Sequence, residues 1–369
     1  MADTDQADRR SRLLGVKLRA LIGGHLGDPD ALATVEPAPF PGGAALVVDR
    51  RAWVLVDGAA DRTLGAALAW AIRNDADELD LVAEHHTGLL ARRADAFELA
   101  TRIWFAEERS LLATVAEPLP EMAEPPPTHL ALTRLIEAAG AVPNVEHGVV
   151  TGEVRGLEVC RVVDQPTLGR LTDEHGTPLA TGVGPVEADG EDGVILEVGV
   201  GANDREAFQL LHGHIPKVDA LAEVVRSVGT HRAPGAPAHP LNRMAPERAL
   251  RADAVDDPAS LALDSLEPIA PPIPRPSMKD VAPCVAAGRS ADGDVTVVFS
   301  SGVDLELAPF VADVNVMRAH DLGSAPPVTV VLPERDQLPI AQSLLDLLGH
   351  PVSVVAPGDP RVPEDHERR

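Results

Sequence analysis

Two glutamates stand where a carboxylate is costly. Glu158 interrupts the apolar run from Gly156 to Val163, and Glu197 interrupts the run from Val194 to Val200. Both runs are short and rich in Val, Leu and Ile, so both predict strands. Alternation along a strand then puts Glu158 on one face with Cys160 and Val162, and Glu197 on one face with Ile195 and Gly199. Burying an unpaired carboxylate costs on the order of several kcal/mol unless a cation or hydrogen-bond donors are supplied. Two such carboxylates on neighbouring strands make an oxygen-ligand site for a hard divalent cation, Mg2+ or Mn2+. The competing reading pairs them with Arg155, Arg161 and Arg205, as structural ion pairs on a sheet face.

A third acid, Glu137, lies on a helix that precedes these strands. The order helix, strand, strand, strand, helix, with Glu137, Glu158 and Glu197 at its successive positions, resembles the core of the PD-(D/E)XK nuclease superfamily. That resemblance implies a helix glutamate at Glu137, a strand acid at Glu158 and the first half of the acid-x-Lys pair at Glu197. Glu158 and Glu197 would be the metal ligands, with magnesium activating the water that attacks phosphate. The sequence departs from the pattern at the lysine, where Gly199 stands. Arg205, one turn into the following helix, could reach the vacated place, but a guanidinium stays protonated and cannot act as a base.

The segment from Arg226 to Arg251 contains Arg232, Arg243, Arg248, His231 and His239, and is the one basic island in an acidic chain. It is the only place where a nucleic-acid backbone would find cations. The alternative is that its arginines neutralise nearby acids. It has no interleaved aromatics, hence no stacking platform for single strands. His85 with His86, and His212 with His214, complete no recognised set of four metal ligands; the second pair reads as charge at a helix end. Ser300 to Asp304, between a strand and a helix, reads as turn and cap residues.

The elements that must position these groups are those of an α/β protein. An amphipathic helix from Arg9 to Ile22 leads into strands Ala44 to Val48 and Ala52 to Val56, helix Thr63 to Asn74, strand Leu79 to Ala83, helix Gly88 to Phe97 and strand Thr101 to Ala106. Prolines from Glu117 to Pro127 predict a linker. The central unit, residues 128–251, is expected to be nuclease-like or Rossmann-like: a helix from Thr128, strands within Val142 to Val163, a long loop from Asp164 to Gly193, the strand Val194 to Val200, and helices Asp204 to Leu211 and Val218 to Val228. A capping box of Asn203 and Glu206 is expected at the first of these helices. Residues 252–290 read as a Pro-rich linker. A second small layer follows: strand Val295 to Phe299, helix Leu305 to Arg318, strand Val328 to Leu332, helix Asp336 to Leu348, strand Val352 to Val355, and a frayed tail. The central unit is thus flanked by two smaller α/β layers, whose open edges call for a neighbouring domain or a homo-oligomer.

Composition narrows the function. Fifty-seven acidic against 32 basic side chains give a formal charge of −25, which opposes chain-wide attraction to nucleic acid or anionic lipid. Abundant Ala, Arg, Asp, Gly, Pro and Val also follow from a GC-rich, bacterial type of coding bias. Two isolated cysteines, Cys160 and Cys284, point to a reducing compartment. No run approaches the roughly 18 apolar residues of a membrane span, so a cytoplasmic protein is expected. Two functions remain: a divalent-metal phosphodiesterase or nuclease relative, and a non-catalytic interaction or scaffold protein. The second predicts that Glu158→Gln is neutral or stabilising.

Overall fold

The computed structural model describes residues 2–28, 32, 34–164, 193–212, 217–237, 239–275 and 282–357. It is a mixed α/β structure with three sheets, and the chain divides into two compact units. The first comprises residues 1–120 and 287–369, the second residues 121–286. The expected loop between Asp164 and Gly193 and the expected tail lie almost wholly outside the described residues, as does His214.

The first unit opens with α1 (Ala2–Leu26), which runs past Gly23 and Gly24 and ends at Gly27. Six strands follow in sheet order: β1 (Ala38–Phe40), β2 (Gly43–Val48), β3 (Arg51–Val56), β4 (Glu78–Ala83), β5 (Ala100–Glu107) and β6 (Ser110–Ala113). The centre, β3–β4–β5, is parallel because α2 (Leu64–Arg73) and α3 (Thr87–Ala94) form its crossovers, whereas the outer pairs are antiparallel. Trp53 and Leu55 of β3 face Leu18, Leu21 and Ile22 of α1. The alternating Ala52, Val54 and Val56 are buried on the other face. The short edge strands β1 and β6 are absent from the expectation.

In the second unit, the expected single helix from Thr128 is broken into α4 (Pro127–Leu130) and α5 (Thr133–Ala138). Four strands then form a meander: β7 (Val142–Glu146), β8 (Val149–Val154), β9 (Leu157–Asp164) and β10 (Val194–Val198). Every pairing is antiparallel, so the unit lacks the parallel sheet of the Rossmann-like alternative. The two short hairpins turn on His147-Gly148 and Arg155-Gly156. All four residues have positive φ, the geometry of the tight two-residue turn that matches strand twist. Two helices follow, α6 (Ala202–His212) and α7 (Lys217–Arg232). α8 (Pro246–Asp256) crosses from the expected central unit into the stretch expected to be a linker, which also holds β11 (Ser265–Ile269).

β12 (Cys284–Ser290) carries the chain back into the first unit, which ends with β13 (Gly293–Phe299), α9 (Leu307–Leu322), β14 (Val328–Val331), α10 (Pro339–Asp346) and β15 (Val352–Val355). β13, β14 and β15 are parallel neighbours. α9 packs on α2 and α3, and α10 packs on α2. The two small layers of the sequence expectation therefore share one unit through their helices, each keeping its own sheet. Buried ion pairs fix that packing. Asp313 of α9, fully buried, accepts from Arg92 Nε at 3.0 Å and Arg93 Nε at 2.7 Å. Glu306 Oε1 accepts the Gly65 N–H at 2.8 Å.

Candidate functional site

The meander of the second unit has one apolar face and one charged face. Val150, Val154, Leu157, Val162, Leu196 and Val198 form a core with Ile136 of α5 and with Leu221 and Val228 of α7. The opposite face carries Asn144, Thr151, Arg161 and Glu197 as one row of cross-strand partners. Glu153 and Glu158 are partners in the next row.

A β-bulge decides which side Glu158 takes. Gly152 pairs with Cys160 while Glu153 pairs with Glu158, leaving Val159 as the extra residue. The strand alternation expected between Glu158 and Cys160 is therefore broken. Cys160 and Val162 face the core, and Glu158 stands on the charged face with Arg161. The two then meet: Arg161 Nε and Nη2 donate to Glu158 Oε1 and Oε2, each at 3.0 Å. That bond raises the Arg161 guanidinium above its ordinary value, against the opposing effect of burial.

Arg205, on the first turn of α6, completes this group. Its Nη1 donates to Glu158 Oε1 at 2.8 Å, and its Nε stands 3.3 Å from Glu197 Oε2, an ion-pair distance without hydrogen-bond alignment. The arginine is 9% exposed. A guanidinium thus holds the place between Glu158 and Glu197 that the metal reading gives to a cation. α6 begins at Ala202, which puts Asn203 inside the helix. The carboxylate that folds back is that of Asp204, accepting the Val200 N–H at 2.6 Å. Glu137 does not join the pair. It is exposed on α5, the helix that packs against the apolar side of the sheet. Among the described residues no three His, Cys, Asp or Glu side chains are grouped to hold a metal ion.

Gly199 takes φ +137, and a Cβ there would stand 2.9 Å from both the Arg205 backbone nitrogen and Asp204 Oδ2. An L side chain is strained at that φ and has no room, so this backbone does not accept a lysine at the position.

A second ionic group adjoins the first and was not foreseen. Arg248 of α8 donates through Nη1 to Glu153 Oε1 and through Nη2 to Glu146 Oε2, both at 2.5 Å. Arg251, one turn on, lies 3.5 Å from Glu153 Oε2 and 3.8 Å from Glu146 Oε1. Asn144 Nδ2 bridges the same two carboxylates. Burial pushes the Glu146 carboxyl up. The charge and hydrogen bond of Arg248, helped by Asn144 and Arg251, outweigh it and hold Glu146 below the ordinary range. Burial likewise opposes the charge of Arg248, and Glu153 and Glu146 overcome it, so its guanidinium is raised. α8 approaches this face at Gly156, where a Cβ would meet the Arg248 carbonyl oxygen at 2.3 Å.

The basic segment is consequently not a basic surface. Arg232, Arg248 and Arg251 are buried. Arg232 donates to the carbonyl oxygens of Arg155, Leu241 and Met244. Arg155 is bound to Asp253 and Asp256. Arg226 and Arg243 remain exposed. His231 and His239 stack with ring centroids 3.8 Å apart.

Between the two ionic groups lies a cavity of about 270 Å³. Glu146, Glu153, Glu158, Arg161, Arg248 and Arg275 form its charged wall, with Val149, Ala245 and Pro274 as its apolar wall. Comparison with protein families, with curated proteins and with solved structures finds no match for this chain. Among the described residues no helix is long and apolar enough to cross a membrane.

Proposed function

We propose that the chain is a non-catalytic binding protein, and that the charged face of the second unit is its recognition surface. One observation carries this reading: Arg205 lies between Glu158 and Glu197 and neutralises the two carboxylates that metal-dependent phosphodiester hydrolysis would require. Gly199 supports it, because the position corresponding to the catalytic lysine of a PD-(D/E)XK nuclease cannot take a side chain here. A relative of that superfamily stripped of its chemistry fits the same facts. In such a relative the acids are retained as structural ion pairs.

The test is hydrolysis. Purified protein is incubated with supercoiled DNA, single-stranded RNA and bis(p-nitrophenyl) phosphate in the presence of Mg2+ or Mn2+. No turnover above the metal-only blank is expected. Metal-dependent cleavage that Glu158→Ala abolishes would overturn the proposal.

A further inference from the structure

The cavity beside Glu158 has features that packing alone does not require. Six charged side chains line it, and five of them, Glu146, Glu153, Glu158, Arg248 and Arg275, are between 8% and 15% exposed. Burying charge beside an empty space wastes the packing that would offset its desolvation, which is how binding sites differ from cores.

The hydrogen-bond accounting tells the two signs of charge apart. Glu158 accepts from Arg161 twice and from Arg205 once. Glu153 accepts from Asn144, Arg248 and Arg251. A carboxylate has about four acceptor sites, so these acids are nearly saturated. Arg161 has five N–H donors on the general inventory and commits two of them, both to Glu158; among the described residues its Nη1 has no partner. It is also the most exposed of the three lining arginines, at 37% against 8% for Arg248 and 12% for Arg275. What the cavity lacks is therefore an acceptor, and the residue that would meet it is Arg161.

Size and walls narrow the class. The volume lies just below the roughly 300–1,000 Å³ of pockets that take drug-sized ligands, which leaves room for a small metabolite. Among the described residues no Phe, Trp or Tyr lines the cavity for a base to stack on, and the His147 ring is held by the Pro271 carbonyl oxygen. Three lining glutamates balance the three lining arginines, so the wall holds no excess positive charge for a phosphate dianion and favours a monoanion. The planar guanidinium fork matches a carboxylate, and Val149, Ala245 and Pro274 offer an aliphatic chain its apolar surface.

We infer that the cavity binds a small aliphatic monocarboxylate, with its carboxylate on Arg161 and its chain against Val149. The inference rests on the reading of this unit as a non-catalytic binding module and names its ligand class. Calorimetry and saturation-transfer NMR are run on the full chain with butyrate, L-valine, inorganic phosphate and isobutylamine as probes. Saturable binding of butyrate or L-valine is expected, with phosphate and isobutylamine inert. Arg161→Lys, which keeps the charge and loses the fork, should weaken it at least tenfold. Val149→Phe, which narrows the cavity without altering a charge, should do the same, and Arg243→Lys at the exposed site should leave it unchanged. Each variant is first matched to wild type by its circular dichroism spectrum. The inference is overturned if neither carboxylate binds, if phosphate or the amine binds instead, or if every variant that retains the fold keeps the wild-type affinity. Cleavage activity would sink the non-catalytic reading alone, and absence of carboxylate binding would sink this inference alone.

Discussion

Arg205 Nη1 lies 2.8 Å from Glu158 Oε1, and the two side chains, on α6 and β9, are each about one-tenth exposed. The non-catalytic reading of the second unit follows from this pair. A buried carboxylate with a guanidinium against it is settled electrostatically and gains little from a metal.

Removing the cation should therefore hurt. Arg205→Met leaves Glu197 without its partner and Glu158 with Arg161 alone. A loss of about 2–3 kcal/mol is expected, below the full cost of breaking a buried pair because Glu197 is one-third exposed. Glu158→Gln should destabilise as well, by roughly 1–3 kcal/mol. That reverses the neutral or stabilising effect that the sequence alone attaches to a non-catalytic protein, because the charge proves to be paired. All three tryptophans, Trp53, Trp70 and Trp104, lie in the first unit. The second unit is best followed by hydrogen exchange of peptides from β9 and β10, which should lose protection in both variants.

In the first unit, Asp313 is the only hydrogen-bonded carboxylate seen on both Arg92 and Arg93 among the described residues. Asp313→Ala should cost about 3–5 kcal/mol, because two buried guanidinium groups lose their counter-charge. Urea unfolding followed by tryptophan fluorescence reads this loss directly.

The same unit should be sensitive to pH through Glu306. Burial pushes its carboxyl from 4.5 up to about 7, against the Gly65 N–H and the nearby Arg93 charge, which favour the ionised form. The folded state thus holds the proton more tightly than the unfolded chain. Its contribution is complete below the unfolded value and is lost as pH rises through about 7. The difference corresponds to about 3 kcal/mol at pH 8. Glu306→Gln keeps an acceptor for Gly65 and removes the charge. It should flatten this part of the fluorescence-detected stability profile, making the variant more stable than wild type at pH 8 and equal to it only below about pH 4.

Cys160 and Cys284 are both buried, and burial pushes each thiol up to about 12. Neither should react with a disulfide reagent at pH 8 on the timescale of minutes, while both should label at once in guanidinium chloride. A thiol count on native and denatured protein checks this.

Much of the architecture is legible in the sequence where apolar periodicity is strong. β3, β4, β14 and β15 fall within a residue or so of their expected places, and α7 and α9 contain most of the expected helices. α8 was missed for a physical reason. Its buried positions include Glu247, Arg248 and Arg251, so the face it turns inward is charged and leaves no hydrophobic stripe to read. The geometry around the two glutamates was hidden in a related way. Glu158 and Glu197 are brought near one another as expected, but the bulge at Val159 puts Glu158 opposite Glu153 and beside Arg161, which strict alternation cannot foresee. The polar alternation of Asn144 with Glu146 and of Thr151 with Glu153 was the signal that marked the charged face.

Calorimetric titration of the wild-type chain with Mn2+ tests the central claim most directly. With Arg205 between Glu158 and Glu197, no saturable heat is expected, and none should appear in Glu158→Ala. Stoichiometric Mn2+ binding in the wild type, lost in that variant, would contradict the account.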